Sequence, residues 1–265
     1  MRVFRQHTFK VMALQKLLSR TISRMTFLLP DTYIPLRYYG GKIYLNLREY
    51  SPMVDKALGI YEPWKTDLFF NSVRKGMTLV DVGVNKGYFS LIFARLMEDS
   101  GNVLSFEPDP DNCFWFRQSI KANRYKCIKL YQHALSDKEG SVAFYRGKKS
   151  GWGSIIQSPY TTQNAINVKS RKLDNVLEDE EIDKVDFVKI DVEGAELSVL
   201  KGAKKTLQRH NIKLAIDVDL LRLEQKNQLL DFLESFGFRT FRIWKELIPV
   251  EKMDEHIREI YAMKP

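Results

Sequence analysis

The stretch TLVDVGVNKGYFS, residues 78–90, decides how the rest of the chain is read. Leu79, Val80 and Val82 frame the acid Asp81, glycines follow at 83 and 87, and a helical pattern starts near Tyr88. An apolar run of this length, bounded by glycines, predicts a buried strand, a tight loop and an amphipathic helix. Glycine tolerates positive φ and lets backbone lie close to a ligand, so such a unit suits an extended cofactor. A second apolar run, residues 103–106, ends in Glu107-Pro108-Asp109. A carboxylate closing the second strand of a βαβ unit stands where the two hydroxyls of a ribose can be gripped. The glycine pattern is D-x-G-x-x-x-G rather than the G-x-G-x-x-G of nicotinamide-binding folds, which disfavours a dehydrogenase.

Beyond residue 78, strand-like and helix-like segments alternate, the mark of a mostly parallel α/β sheet. A helix over 113–122 precedes a strand-like run at 127–135 that ends in Ser136-Asp137. Residues 141–146 alternate like an edge strand, 148–162 form a Gly/Ser-bearing loop around Trp152, and 166–170 read as a short strand. A helical turn at 173–177, a strand at 185–192, a helix at 195–210, a strand at 212–218 and a helix at 223–236 follow. Residues 238–244 and 257–263 complete the sheet. Residues 1–70 read as a helical, looped lid and 71–265 as the catalytic domain, with no repeat, no low-complexity stretch and no linker long enough to separate a second domain.

At 265 residues and 44% hydrophobic content the chain can bury one large core. Cys113 and Cys127 fit no metal spacing and read as packing residues, which suits a reducing cytosol. No apolar run reaches membrane-spanning length and no secretory signal core is present, so the expectation is a soluble, cytoplasmic protein. The net charge of +9 is unevenly spread. Arg2, Arg5, Lys10, Lys16, Arg20 and Arg24 occupy the first thirty residues without any acid, and subtracting these six leaves +3 for the remainder. Nucleic acid is therefore not an expected partner, and Phe114, Trp115 and Phe116 read as helix core rather than a base-stacking platform. In residues 1–30, Val11, Leu14, Leu18, Ile22 and Met25 form a helical stripe. Packing on the core with the charges in water is the first reading; peripheral contact with an anionic membrane and an organellar presequence are the other two.

A second motif, VDFVKIDVEGAE at residues 185–196, repeats the strand–glycine–helix logic. Its strand delivers Asp191 and Glu193 to the carboxyl end, and Gly194 lets the chain turn into a helix. Ligands of open α/β sheets bind at the carboxyl ends of strands, so these acids face the same cleft as Gly83. Capping the following helix, where negative charge is favoured, accounts for Glu193 or Glu196 but hardly for Asp191 as well.

The chain resembles the FkbM-family methyltransferases. The segments that carry the resemblance are VDVGVNKGYFS (80–90), FEPDP (106–110), ALSD (134–137), LDNVL (173–177) and VDFVKIDVEGAELSVLKGA (185–203), in family order over roughly residues 59–218. The loop spacing is similar to that of class I methyltransferases. The resemblance implies a Rossmann-like, seven-stranded, mostly parallel sheet with helices on both faces and an antiparallel last strand pair. It also implies S-adenosylmethionine-dependent O-methylation of a sugar, glycan or natural-product hydroxyl. Carried over by position, Asp81, Gly83, Asn85 and Gly87 would hold the methionine part of the cofactor and Glu107 its ribose. Ser136 and Asp137 would lie beside the adenine, with Asp191 and Glu193 at the methyl-transfer end. Gly151-Trp152-Gly153-Ser154 matches a serine-containing loop that faces the acceptor. One departure stands out: the fifth strand closes in Asp217-Val218-Asp219, where the family often has a glutamate and, two places on, a histidine.

Methyl transfer from a sulfonium is an in-line displacement that demands alignment and exclusion of water. An alcohol is a poor nucleophile until its proton is taken, so a positioned carboxylate or imidazole is expected, and Asp191 and Glu193 are the candidates. His133 lies in a strand-like run and reads as structural; His7, His210 and His256 connect to nothing in the cleft. Asp191 with Asp217 or Asp219 would also suit a divalent metal, a requirement the resemblance does not impose. Trp152 and Tyr160 read equally as stacking surfaces for a carbohydrate or as lid packing. The reading from a different class is a non-catalytic or membrane-surface protein that retains the fold.

Overall fold

Short apolar runs become parallel strands, and the polar, helix-forming stretches between them pack on the two faces of the sheet. The computed structural model describes residues 9–29, 31–49, 52–208 and 212–265. Helix α1 (Phe9–Met25) runs into a single 3₁₀ turn (Thr26–Leu28). A hairpin of β1 (Ile34–Tyr38) and β2 (Gly41–Leu45) follows, then α2 (Pro52–Leu58) and α3 (Pro63–Ser72). Strands and helices then alternate: β3 (Thr78–Val82), α4 (Tyr88–Leu96), β4 (Asn102–Phe106), α5 (Pro110–Asn123) and β5 (Ile128–Tyr131). An excursion comprises β6 (Ala134–Leu135), β7 (Gly140–Gly147), β8 (Thr161–Arg171) and α6 (Leu173–Asp179). The chain returns through β9 (Phe187–Ile190), α7 (Glu196–Lys201), α8 (Lys204–Gln208), β10 (Lys213–Asp217) and α9 (Leu223–Ser235). It closes with β11 (Arg239–Ile243), β12 (Leu247–Pro249) and β13 (Glu259–Met263).

The main sheet has the order β12-β11-β13-β10-β9-β3-β4-β5. Strands β5, β4, β3, β9 and β10 are parallel, while β13 runs antiparallel to both β10 and β11. This is the expected Rossmann-like sheet with its antiparallel final pair. The eighth strand is the three-residue edge β12, which the sequence reading did not anticipate. Side chains alternate across the sheet as the pleat requires. Val80, Val82, Val188, Ile190, Leu214 and Ile216 face the core under α6–α9. Leu79, Phe187 and Ala215 face the other core, beneath α3, α4 and the hairpin.

The amino-terminal region is more deeply built in than a lid of helices and loops. Tyr38, Ile43, Leu45, Leu68 and Phe69 are all buried in the second core. The hairpin closes through Tyr39 and Gly40, both at positive φ, the geometry that matches strand twist in a two-residue turn. Three expected elements divide differently. The run 127–135 splits into β5 and β6, and β6 joins the two strands of the segment 140–171 in a separate sheet of order β6-β8-β7. The helix expected over 195–210 breaks into α7 and α8; its last expected residue, His210, lies outside the described residues, as do His7 and the side chains of Val11 and Leu14. None of the described helices is long and apolar enough to cross a membrane.

Gly87, at φ +88, opens α4 so close to α5 that an added Cβ would stand 2.0 Å from the Phe116 ring. Gly87→Ala is expected to cost about 2–4 kcal/mol, left-handed strain and overpacking together. Gly140, at φ +114 with nothing within 4 Å, supplies the comparison: Gly140→Ala incurs strain alone, roughly 1–2 kcal/mol. Urea midpoints measure both, and equal losses would show that the Phe116 contact contributes nothing.

Candidate active site

The loop after β3 folds back on the end of β4. The amides of Gly83 and Val84 both donate to the Phe106 carbonyl, at 3.0 and 3.2 Å. Asn85, held at φ +54, donates its amide to Glu107 Oε2 at 2.7 Å. Glu107 Oε1 accepts from the Asp109 amide at 2.9 Å and from Asn112 Nδ2 at 3.2 Å. Burial raises the Glu107 carboxyl above its ordinary value, and the Asp109 and Asn85 amides oppose the rise. Lys86 is also buried, with Nζ 2.5 Å from Asn112 Oδ1 and 4.9 Å from the centre of the Tyr33 ring. These groups line a chamber of about 540 Å³, with Phe106 and Leu135 among its apolar residues.

A second chamber of about 410 Å³ is lined by Lys56, Glu62, Trp152, Glu193, Asp217 and Asp219, among others. The two chambers share Gly83, Asn85, Ser150, Gly151 and Asp191. Gly83 is where the wall is tightest: an added Cβ would lie 1.7 Å from the Asp191 carbonyl oxygen. Trp152 and Tyr160 meet edge to face, centroids 5.3 Å apart. Ser154 donates its hydroxyl to the Val192 carbonyl at 3.0 Å, tethering the β7–β8 connection to the end of β9.

Two buried lysines balance the acids at this end of the sheet. Lys189 Nζ donates to the Gly83 carbonyl at 2.9 Å and lies 3.3 Å from Asp81 and 3.4 Å from Asp191. Lys65 Nζ lies 2.7 Å from Glu62, 2.8 Å from Glu259 and 3.5 Å from Asp217. Burial raises the Asp191 carboxyl, but Lys189 and Lys65 outweigh it and leave the group below its ordinary value. Among the described residues Glu193 forms no ion pair, and the pull of Lys189 on it is small. Burial, with repulsion from Asp191 and Asp217, pushes its carboxyl up to about 9. Burial pushes the Lys56 ammonium down to about 8. Carboxylate oxygens of Glu62, Asp191 and Asp217 lie within 4.8 Å of one another, as a metal site would need. Lys65 already brings a cation to two of the three.

The sequence candidates separate into three groups. Gly83, Asn85, Glu107 and Asp191 line the first chamber, and Glu193 lies in the second. Asp81 and Gly87 support the loop from behind: Asp81 accepts from Ser90 Oγ at 2.6 Å, and Gly87 begins α4. Ser136 and Asp137 are absent from both chamber linings. Ser136 Oγ lies 2.7 Å from Ser170 Oγ, and Asp137 accepts from Ser198 Oγ at 2.6 Å, so the pair locks β6 to β8 and α7. The chamber is lined there by His133, Ala134 and Leu135. Sequence reasoning missed Glu62, Lys56, Lys65, Lys86 and Lys189. Of these only Lys189 left a local signal, a lysine inside the apolar strand VKI at 188–190.

Residues 81–240 match the family described as Methyltransferase FkbM domain. Hexuronic acid methyltransferase AglP of Haloferax volcanii is 31% identical over 144 residues, 54% of this chain and 57% of that protein. The 2-O-methyltransferase NoeI of Sinorhizobium fredii is 29% identical over 146 residues, 49% of this chain and 59% of that protein. The matched regions thus span little more than half the length of these curated relatives. Among solved structures, a methyltransferase FkbM from Methylobacillus flagellatus is 17% identical with a TM-score of 0.49, covering 80% of this chain and 54% of that one. With its family match extending over more than half of its length, the chain belongs to the FkbM methyltransferase family.

Proposed function

We propose that this chain transfers a methyl group from S-adenosylmethionine to a hydroxyl of a sugar, glycan or natural product. The observation that carries the reading is the junction of the two chambers at Gly83 and Asp191, where a donor on one side can meet an acceptor on the other. The relatives named for a hexuronic acid and for 2-O-methylation support an oxygen-directed, carbohydrate-type reaction.

The first chamber fits the cofactor chemically. Glu107 would take the ribose hydroxyls, Lys86 the carboxylate of the amino-acid end, and Phe106 with Leu135 the flat base. When bound, S-adenosylmethionine supplies an electrophilic methyl on a sulfonium whose leaving group is a neutral thioether. Asp191, kept ionised by Lys189 and Lys65, accepts the proton of the acceptor hydroxyl as its oxygen takes the methyl. Glu193 keeps its proton at neutral pH and donates a hydrogen bond to a neighbouring acceptor oxygen. Two nearby carboxyl groups driven to opposite protonation states can serve as acid and base in one site. Trp152 and Tyr160 offer apolar faces to a ring. Lys65 already provides positive charge to Glu62 and Asp217, and chelating agents are expected to leave transfer intact.

Calorimetric titration of the purified protein with S-adenosylmethionine is the first test. Binding should collapse in Glu107→Ala and persist in Asp191→Asn, while transfer by Asp191→Asn falls by a factor of roughly 10² or more. No binding by the wild type would sink the reading. The pH–rate profile then assigns the two acids. A carboxyl with its pKa near 9 holds its proton below that pH and loses it above, so transfer should decline as pH rises through about 9. Glu193→Gln, a donor at every pH, should remove that limb. A rate that instead climbs through pH 9 would make Glu193 the base.

A further inference from the structure

We propose that the outward side of α1, with the turn that follows it, docks on an anionic lipid surface. The proposal is independent of the methyl-transfer reading and rests on which side of the helix the fold uses. At 3.6 residues per turn, α1 presents three sectors. Gln15, Ser19 and Ile22 lie on the side toward α2, where Ser19 Oγ donates to Asp55. Leu17, Leu18, Thr21 and Met25 make up a second sector, open to solvent. Lys16, Arg20 and Arg24 occupy the third, and all three are exposed.

Among the described side chains, the helix therefore packs through Gln15, Ser19 and Ile22 and leaves Leu17 and Leu18 outside. Leu17 is 61% exposed, Leu18 50% and Met25 53%, and the following turn adds Phe27 and Leu28, both at 66%. Leu18 and Met25, which the first sequence reading placed against the core, are therefore exposed, while Ile22 of the same stripe lies on the side toward α2 and the charges face water as expected; Val11 and Leu14 lie outside the described side chains. A run of large exposed apolar side chains marks an interaction surface rather than ordinary surface scatter.

The charge of this region selects the partner. Residues 1–30 contain six basic residues and no acid. Arg48 adds a further cation, its Nη1 reaching the Leu29 carbonyl at 3.4 Å. The nearby carboxylates are engaged: Asp31 by Asn46, Glu49 by Tyr33 and Asp55 by Ser19. An apolar sector beside a cationic flank is the arrangement that lies in the headgroup region, with leucine and phenylalanine side chains in the acyl boundary. Because α1 leans on α2, whose Met53 and Lys56 line the second chamber, docking would hold that chamber one helix away from the lipid.

The test is co-sedimentation of the full chain with vesicles of phosphatidylcholine alone and of phosphatidylcholine with phosphatidylglycerol. The wild type should pellet with the anionic vesicles and remain in solution with the neutral ones. Leu17→Ser/Phe27→Ser/Leu28→Ser, which leaves the charge unchanged, should weaken binding at least roughly a hundredfold. Arg20→Ala/Arg24→Ala should weaken it roughly thirtyfold. These side chains are exposed, so thermal unfolding of both variants should match the wild type. Failure of the wild type to pellet overturns the proposal, as does a serine variant that binds as well as the wild type. So does a wild-type dimer that the serine variant dissolves in sedimentation velocity, since the patch would then be a contact between copies.

Discussion

Two buried ammonium groups hold the working end of this sheet together. Lys189 projects from β9 to the face opposite Val188 and Ile190, where it joins the end of β3, the loop after it and the end of β9. Lys65 reaches from α3 to the ends of β10 and β13. Parallel strands direct their carboxyl ends to one edge, where Asp81, Asp191 and Asp217 lie, and antiparallel β13 brings its first residue, Glu259, opposite Asp217 at the same edge. Without the two cations, Asp81, Asp191, Asp217 and Glu259 would repel one another in a region with little water. Removing one partner of a buried ion pair typically costs about 3–5 kcal/mol because the other charge is left uncompensated. The site's electrostatics and the fold's integrity are therefore one problem with one solution.

That solution also makes the two catalytic candidates unequal. Asp191 lies 3.4 Å from Lys189, whereas for Glu193, two residues further on, burial and the repulsion of Asp191 and Asp217 outweigh the pull of Lys189 and raise its carboxyl to about 9. Backbone strain contributes to the arrangement. Glu62, Asn85 and Glu193 all adopt positive φ and all line a chamber. Such conformations cost of order 1–3 kcal/mol each and persist only where the surroundings fix them. The Glu107 carboxylate fixes Asn85, Lys65 fixes Glu62, and the turn into α7 fixes Glu193.

Much of this was legible in the residues. The β3–loop–α4 unit follows from an apolar run broken by Gly83 and Gly87, and β9 with its two acids follows from VKIDVEG. What could not be read depended on long-range contacts. Lys65 and Lys189 look like surface charges until α3 and β9 are packed against strands far away in sequence. The β1–β2 hairpin turns on Tyr39-Gly40, a weaker turn signal than Asn-Gly. For α1, periodicity showed an amphipathic helix but not which side the fold would use, and Ser19–Asp55 decided against Leu17 and Leu18. Ser136 and Asp137 were assigned to the adenine through resemblance alone, and here their side chains are engaged with Ser170 and Ser198.

The position of Asp191 in the wall between the chambers also bears on how a catalytic cycle ends. If the proposed reaction holds, Asp191 would be an anion before transfer and a neutral acid after it, because it would take up the acceptor's proton. Lys189 and Lys65, which hold its charged form, would then favour the return of that proton to solvent, so the two cations that order the strand ends would also reset the base for each cycle.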